Sequence, residues 1–434
     1  MKKKCLCLLS LLLCCLLSLS LALPVSGEEE LDLASQAAVL MDADTGTVLY
    51  QKNMHQVLYP ASITKVMTAL LALQSLEPTQ VLTVSQAAVN AVPRTSSHIS
   101  LLPGEQFTVE EALYAIGMES ANDAANVLAE AMAGSLDAFA VQMTEAARSL
   151  GALHTNFTNA NGLPDSNHTT TAYDMALITA AAWKQEGLAT YFNTVTHTFP
   201  ATNLSAARSF QNKNRLLAGG QYYYDGVQMA KTGWTTSAQG TFAAVVKKGN
   251  VTLVAVTLKS PLLEDKYRDT HKLMDYGFSH YSQVTVSGDQ MTADLDLGDY
   301  TAVSGQKQAY LIPAGLSMRD IRFSLDADTD LTAEKRNTLT VTVSASLGEL
   351  HLPDATLKLE RPPQPRVTYT LSELLTTKNL DAKTVWNTLR IPAILLAVLL
   401  LIALVLLTRR QLQRHKQRRH LKARIRRMKK RMEP

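Results

Sequence analysis

The spacing of hydrophobic and polar positions changes several times along the chain, and the changes predict an α+β protein. Alternating positions in 37–42 and 47–50, on either side of Gly46, predict a β-hairpin. Two further apolar strands are predicted at 241–246 and 251–258. Because helical spacing dominates between them, the first hairpin and the last strand pair are expected to meet in one antiparallel sheet with helices on its faces.

The helices are predicted from apolar residues that recur every three or four positions and from residues that favour helix starts. They are expected after Pro60, after Thr108, over 114–147, over 172–183 and over 269–278. Thr108 carries a hydroxyl that can cap the second of these helices. The helices would cover both faces of the sheet and form a helical subdomain beside it.

The pattern changes again in the C-terminal third of the chain. Short alternating stretches over 282–367 predict a small β-rich domain, and 368–389 is interpreted as a stalk. An apolar run at 390–408 predicts one transmembrane helix, with Trp386 as an interface anchor. The tail 409–434 contains thirteen Lys and Arg residues and one acid, so it is expected to be cytoplasmic and the body of the protein outside.

The N-terminal segment 1–27 is interpreted as a secretory signal peptide, since Lys2, Lys3 and Lys4 precede a long apolar run. All four cysteines of the chain lie in this segment. The mature protein is therefore expected to have no disulfide, no cysteine nucleophile and no cysteine-bound zinc. Basic residues concentrate at the two ends and the remainder is acidic, which argues against nucleic acid as a partner.

The first candidate for chemistry is Ser62 with Lys65, three residues later at a predicted helix start. Residues at this spacing share one side of a helix, and a desolvated, neutral lysine can activate a serine hydroxyl. The spacing alone has little meaning, because serine is also a favoured N-cap and lysine is common in helices. The chain repeats the spacing at Ser304 and Lys307, in a strand-like region without a helix to align the pair.

Two further motifs are ambiguous when each is taken alone. Ser120 and Asn122 could transfer a proton and bind a peptide group, or one of them could cap the alanine-rich helix that follows. Lys231, Thr232 and Gly233 precede the last strand pair. On an edge strand they could hold a carboxylate and admit a substrate backbone, or they could be an ordinary polar turn.

The three motifs together, in this order, resemble the signature set of penicillin-binding proteins and class A β-lactamases. The sequence around them is similar to the low-molecular-mass penicillin-binding proteins, which are serine-type D-alanyl-D-alanine carboxypeptidases of peptidase family S11. The resemblance covers 31–281, interpreted as the catalytic domain, and is looser beyond it. The departures are Ala230, Gln239 and a spanning helix where the family usually has an amphipathic one.

The resemblance implies a role for each motif residue. Ser62 would attack the carbonyl between the last two D-alanines of a peptidoglycan stem peptide, and Lys65 would take its proton. Ser120 would relay a proton to the leaving amine, and Asn122 would bind the substrate amide. The remaining residues would bind the terminal carboxylate, admit the substrate backbone and complete the oxyanion hole with the Ser62 N–H: Lys231, Thr232, Gly233 and the backbone N–H of Trp234.

The resemblance also implies that β-lactam antibiotics acylate Ser62 and that no metal or other cofactor takes part. His98, His154 and His168 are too scattered to predict a metal site, and Arg268 is interpreted as a surface charge rather than a carboxylate ligand. Three alternatives stay open: a peptidoglycan endopeptidase, a catalytically silent wall-binding protein and a β-lactamase. The β-lactamase would need a loop glutamate, and 156–174 contains none.

Overall fold

The structure is a computed structural model that describes residues 31–326, 331, 337–361, 390, 392 and 394–411. The predicted signal peptide, the predicted stalk with Trp386 and all of the tail beyond 411 lie outside the described residues. The described part confirms the predicted α+β class, with antiparallel sheets and a β-rich region late in the chain.

Strands occur along the predicted catalytic region, 31–281, and along the β-rich region that follows it. Those in the first region are β1 Ala37–Asp42, β2 Val48–Lys52, β3 Val81–Thr83, β4 Gln106–Thr108, β5 Thr196–Phe199, β6 Arg208–Gln211, β7 Val227–Thr235, β8 Gln239–Lys248 and β9 Val251–Ser260. Those in the second region are β10 Tyr281–Ser287, β11 Thr301–Ala302, β12 Lys307–Pro313, β13 Arg322–Leu325, β14 Thr338–Leu347 and β15 Leu350–Glu360.

Most helices fall between β2 and β7, as the sequence predicts. The α-helices of these two regions are α1 Lys65–Ser75, α2 Gln86–Asn90, α3 Val109–Tyr114, α4 Asn122–Ala133, α5 Leu136–Ser149, α6 Ala172–Lys184, α7 Leu188–Asn193, α8 Asp265–His280 and α9 Gly288–Thr292. A 3₁₀ turn, Ala61–Thr64, leads into α1, and a π turn, Ala115–Glu119, follows α3.

The central sheet joins the two ends of the catalytic region, as predicted. Its order is β2-β1-β9-β8-β7, with every neighbouring pair antiparallel. Ala37 pairs with Leu258 and Asp42 pairs with Leu253, so the first strand lies against the last. The strand that contains Lys231 is the edge strand β7, which leaves one side of it open to a ligand.

Both faces of this sheet are buried, because side chains alternate between two cores. Val39 and Met41 of β1 pack into the core that contains α1, α4 and α6, whereas Ala38 and Leu40 pack into the core on the side of α8. A strand buried on both faces needs apolar residues at every position, and β1 is buried throughout its length. The result is a three-layer arrangement of helices, sheet and helix.

The helical stretch predicted over 114–147 is divided into separate elements in the structure. After the π turn, Ser120 adopts a left-handed backbone with φ 60°, and α4 starts two residues later. Gly134, with φ 76°, ends α4 before α5 begins at Leu136. The sequence offered Ser120 or Asn122 as a possible cap of the alanine-rich helix, whereas the structure has Ala121 as its N-cap and a left-handed backbone at Ser120.

The β-rich region begins without a linker, since α8 ends at His280 and β10 starts at Tyr281. It contains a β10-β12 pair and a four-stranded sheet of order β11-β15-β14-β13 around its own apolar core. The Tyr281 hydroxyl donates to the Leu49 carbonyl at 3.0 Å, which ties the start of this region to β2. The predicted boundary near 281 remains a prediction.

A second unit contains helix α10, Ile394–Gln411. Its mean hydropathy is 2.1, and it is the one unbroken helix among the described residues that is long and apolar enough to cross a membrane. It overlaps the predicted spanning segment 390–408 and is a candidate membrane anchor.

Candidate active site

Ser62 and Lys65 come together at the start of a helix. Ser62 is the second residue of the 3₁₀ turn, and Lys65 is the first residue of α1. The Lys65 Nζ lies 3.2 Å from the Ser62 Oγ. Ser62 stays half-exposed, whereas Lys65 is fully buried. The pair therefore presents a hydroxyl to solvent and hides the amine beneath it.

Burial changes the chemistry of Lys65. Desolvation lowers the pKa of Lys65 well below its usual value, and the charge of Lys231 lowers it further. The Lys65 Nζ donates to the Asn122 Oδ1 at 2.7 Å and to the Asn161 carbonyl at 2.6 Å. These two acceptors bind two hydrogens of the amine, so the lone pair of the neutral amine can face the Ser62 Oγ. A neutral, oriented amine of this kind is a competent general base.

Ser120 and Asn122 flank the break between the π turn and α4. Neither side chain caps α4, because its N-cap is Ala121 and receives no side-chain hydrogen bond. The Asn122 Oδ1 accepts from Lys65, and its Nδ2 donates to the Ser96 Oγ at 3.0 Å. The left-handed backbone of Ser120 costs energy in a non-glycine residue, and such strain persists where surrounding contacts hold it.

Lys231 connects the second motif to the third. Its Nζ donates to the Ser120 Oγ at 3.0 Å and to the Thr232 carbonyl at 2.9 Å. Burial lowers the pKa of Lys231 to about 7, and the nearby charges of Lys266 and Lys213 contribute. A lysine with this pKa can hold or release a proton near neutral pH.

Gly233 and Trp234 place the edge strand beside Ser62. A Cβ on Gly233 would lie 2.9 Å from the Ser62 backbone nitrogen and 2.2 Å from the Thr241 Oγ1, so no side chain fits there. Thr241 also donates to the Pro60 carbonyl at 2.7 Å and so fixes β8 to the turn before Ser62. Trp234 is 45% exposed at the mouth of the site.

These elements enclose a cleft of about 240 Å³. The structure brings the three predicted motifs together around it, although they are separated by long stretches of sequence. The predicted residues that line it are Ser62, Ser120, Thr232, Gly233 and Trp234. Behind them, Lys65 contacts Ser62, Lys231 contacts Ser120, and Asn122 contacts Lys65.

Sequence reasoning missed several cationic side chains that line the cleft. Lys213, Arg215 and Lys266 all face it, and the Lys266 Nζ donates to the Gly233 carbonyl at 3.2 Å. Burial lowers the pKa of Lys266 to about 8. Only the burial of this face of α8 distinguishes Lys266 from a surface lysine, and sequence spacing does not reveal it. The cleft is thus suited to an anionic ligand.

Arg268 and the three histidines lie in other settings. Arg268 is 58% exposed and pairs with Asp265 at 3.6 Å, which agrees with the surface role that the sequence favoured. His168 is buried and contacts the Thr64 Oγ1 at 2.8 Å, whereas His98 is half-buried and His154 lies beside the His55 ring. In the described part of the chain, no three His, Cys, Asp or Glu residues form a group that could hold a metal ion.

Comparison with known proteins gives a consistent set of relatives. A profile of the peptidase S11 family, described as D-alanyl-D-alanine carboxypeptidase, matches residues 25–261. The chain is 35% identical over 259 residues to D-alanyl-D-alanine carboxypeptidase DacF of Bacillus subtilis, covering 59% of this chain and 65% of that protein. It is 30% identical over 303 residues to DacC of Escherichia coli, covering 65% of this chain and 72% of that protein.

The fold is similar to that of penicillin-binding protein 5 from Haemophilus influenzae, with a TM-score of 0.64 and 24% identity. That match covers 77% of this chain and 99% of the other. At this identity the likeness shows the fold, a mixed α and β arrangement with antiparallel sheets. The chain spans 65% of the length of DacF, so the activity of the whole protein is a matter for proposal.

Proposed function

This chain belongs to the peptidase S11 family of D-alanyl-D-alanine carboxypeptidases, and on that premise we propose that it removes the terminal D-alanine from peptidoglycan stem pentapeptides through an acyl-enzyme. One observation supports this proposal most directly. The Ser62 Oγ opens onto the cleft with the Nζ of a buried lysine 3.2 Å behind it. That pairing supplies a nucleophile and its base without a histidine.

In the proposed acylation, Ser62 attacks the carbonyl between the last two D-alanines and Lys65 takes its proton. The closeness of the Ser62 nitrogen to Gly233 supports an oxyanion hole made from the Ser62 N–H and the N–H of the next strand residue, Trp234. Asn122 orients Lys65 through its Oδ1 and binds the substrate amide. The two N–H groups would stabilise the negative charge that develops on the carbonyl oxygen in the transition state.

The proposed leaving-group step uses the pair formed by Ser120 and Lys231. Because the Lys231 Nζ donates to the Ser120 Oγ, the hydroxyl can pass a proton to the departing amine and be resupplied by the lysine. Lys231 and Thr232 bind the terminal carboxylate, and Lys266 at the Gly233 carbonyl adds positive potential. Water then hydrolyses the acyl-enzyme and frees Ser62.

A β-lactam is an acylating mimic of the same dipeptide, and we propose that it traps Ser62 as a slowly hydrolysed adduct. The structure offers no loop glutamate for rapid deacylation. The segment 156–174 has two acids: Asp165 is exposed, and Asp174 is buried and accepts from the His154 nitrogen and the Thr155 hydroxyl. This disfavours the β-lactamase alternative.

The proposal is tested with the full chain in detergent and two substrates, a D-alanyl-D-alanine-ended pentapeptide and a cross-linked dimer of stem peptides. We expect release of free D-alanine from the first, a benzylpenicillin adduct mapped to Ser62, and neither event in Ser62→Ala. Cleavage of the cross-link alone would favour an endopeptidase. Absence of both cleavage and adduct would favour a silent wall-binding protein and overturn the proposal.

We also propose that α10 anchors the enzyme with its catalytic region outside the cell and the basic tail inside. Its apolar composition and the thirteen basic residues over 409–434 support this orientation. Deletion of 390–434 is expected to release the protein from membranes. Protease added outside spheroplasts is expected to digest the catalytic region and spare a tag at the C-terminus, and the reverse pattern would refute this topology.

A further inference from the structure

The residue before Ser62 has an unusual backbone. Ala61 is buried and adopts φ 50°, the left-handed region that alanine rarely occupies. Its carbonyl oxygen accepts from the Thr64 Oγ1 at 2.8 Å, which fixes the orientation of the peptide group that joins Ala61 to Ser62. Strain of this kind persists only when neighbouring elements leave the backbone no alternative.

Gly162 is the neighbour that approaches this peptide most closely. A Cβ on Gly162 would lie 1.9 Å from the Ala61 carbonyl oxygen, 2.4 Å from its carbon and 3.0 Å from the Ser62 nitrogen. All three are backbone atoms, which cannot rotate away as a flexible side chain can. Gly233 approaches the same Ser62 nitrogen from β7, so the peptide is held between two glycines from different elements.

The same loop also holds the base. Asn161, the residue before Gly162, supplies the carbonyl that accepts from the Lys65 Nζ. Consecutive residues of one loop therefore contact both members of the proposed nucleophile and base pair. Any displacement of this loop is transmitted to the Ser62 N–H and to the Lys65 amine at once.

Hydrogen bonds from amide side chains keep this loop in place. The Asn159 Oδ1 accepts from the Gly162 nitrogen at 2.7 Å and from the Asn161 nitrogen at 3.3 Å. The Asn161 Nδ2 donates to the Asn126 Oδ1 at 2.9 Å, and the Thr68 Oγ1 donates to the Ala160 carbonyl at 2.6 Å. The loop is thus a rigid support rather than a surface connection.

We propose that Gly162 is a positioning residue, which sets the place of the Ser62 N–H and Oγ by allowing the 159–163 loop to pack directly on the Ala61–Ser62 peptide. The inference deepens the proposed function and rests on it. Gly162 touches no substrate; it acts through the peptide that carries the nucleophile and through Lys65. A side chain here would push that peptide away from the loop, and β7 leaves it no free space on the side of Gly233.

The test compares Gly162→Ala with Gly187→Ala by the kinetics of acylation with fluorescent penicillin. Gly187 has φ 79°, close to the φ 83° of Gly162, but a Cβ on it would meet nothing within 4 Å. Both variants carry the same left-handed strain, and only Gly162→Ala carries the clash. We expect the limiting acylation rate constant to fall about 100-fold in Gly162→Ala, the usual cost of a misplaced reacting group, and to stay unchanged in Gly187→Ala.

The amplitude of labelling separates positioning from folding. Partial unfolding lowers the fraction of molecules that become labelled and leaves the rate constant of the remainder intact. Mispositioning lowers the rate constant at full amplitude. A Gly162→Ala rate constant within about threefold of the wild type would overturn the inference, because it would show that a misplacement with the usual cost had not occurred.

Asn159→Ala tests the same loop if Gly162→Ala does not fold. It removes the acceptor for two loop N–H groups without adding any atom, and we expect a roughly tenfold slower acylation at an unchanged labelling amplitude. The exposed Asn90→Ala is its control and should react like the wild type. An unchanged rate in Asn159→Ala would also overturn the inference.

The outcomes distinguish this inference from the proposed function. If the wild type is acylated at Ser62 and the loop variants react equally fast, only the inference fails. If the wild type itself forms no adduct, the proposed function fails and the inference fails with it.

Discussion

The chain contains a serine followed three residues later by a lysine in two regions, and the two regions place this motif in different structures. Ser62 and Lys65 lie on consecutive helical turns, 3.2 Å apart, with the lysine fully buried. Ser304 and Lys307 are both exposed, on either side of Gly305 with φ 88° and at the start of β12. Ser304 lies in a turn and Lys307 in a strand, so no helix aligns the two side chains.

The comparison shows that this spacing brings the serine and lysine side chains together only where the backbone is helical. The lysine can act as a base only where its amine is desolvated. Lys307 is exposed to solvent. Lys65 is fully buried, the charge of Lys231 lowers its pKa further, and Asn122 orients its amine. Burial and partners therefore distinguish the two motifs more than their residues do.

The largest expected effect comes from replacing the two lysines. Lys65→Met removes the proposed base and should slow acylation by fluorescent penicillin about 1000-fold, within the range for loss of a general base. Lys307→Met should leave the rate unchanged, because its side chain is exposed and is not among the residues that line the cleft. A decrease of less than tenfold in Lys65→Met would remove the distinction between the two motifs.

The next effect tests whether the strain at Ser120 or its hydroxyl matters for turnover. Ser120→Ala and Ser120→Gly both remove the hydroxyl that accepts from Lys231, but glycine tolerates φ 60° and alanine does not. We expect D-alanine release to fall about 100-fold in both variants, as for loss of a proton relay. Near-normal turnover in the glycine variant alone would show that backbone conformation, not the hydroxyl, is what the site requires.

A smaller effect concerns the alkaline limb of the pH profile of kcat/KM. A lysine is charged below its pKa, so Lys231 loses its charge as the pH passes about 7 and Lys266 as it passes about 8. Activity should rise as Lys65 loses its proton and decline as these carboxylate-binding charges disappear. Lys266→Arg keeps its charge at every accessible pH and should retain several times more activity than the wild type at pH 9.

The exposed Lys307→Arg provides the control for that measurement. Its profile should superimpose on that of the wild type, because the side chain lies outside the cleft. Identical alkaline limbs for Lys266→Arg and the wild type would show that Lys266 does not contribute to binding the carboxylate.

The smallest expected effect is a loss of stability at acidic pH through His168, which contacts Thr64 in the turn that contains Ser62. Burial lowers the pKa of His168 to about 4 from 6.5, and its Nδ1 accepts from the Thr158 nitrogen, so the ring is neutral in the folded state. The unfolded chain binds this proton below pH 6.5 and the folded chain does not until about pH 4. Stability from this group is therefore complete above pH 6.5 and falls by about 3 kcal/mol as the pH drops to 4.

Hydrogen exchange measured region by region tests that expectation. After correction for intrinsic rates, protection of α1 should fall between pH 7 and 5 and protection of β14 and β15 should not. In His168→Gln the pH dependence of α1 should be weaker. An equal loss of protection in both regions of the wild type would contradict a local role for His168.

Much of this fold was accessible to sequence reasoning because local signals agreed with tertiary structure. The hairpin around Gly46, the Thr108 cap and the strands at 241–246 and 251–258 correspond to observed elements. A helix start near Ser120 could be suspected from the sequence, but the left-handed backbone of Ser120 and its contact with Lys231, 111 positions away, could not. Propensity describes neighbours in the chain and carries no information about a contact with so distant a lysine.

The site shows the same division. Its motif residues were predicted from their types and order, and their assigned roles remain proposals. Lys266 and the Asn161 carbonyl were missed for physical reasons. A backbone carbonyl has no signature in the sequence, and the Lys266 amine is distinguished only by the strand against which it packs. Arg268, two residues later, carries a similar charge and points to solvent.

The pairing of β1 with β9 determines when the central sheet can form during folding. Ala37 must find Leu258, so the central sheet cannot close until nearly the whole catalytic region has been synthesised. Contacts of such long range slow folding, because the entropy of closing the intervening chain is lost before any pairing compensates for it. The edge strand with Lys231 reaches Ser62 only once that closure is complete. Penicillin reactivity should therefore be among the last properties that a refolding chain acquires, later than its helical signal, and a slow reporter of native topology.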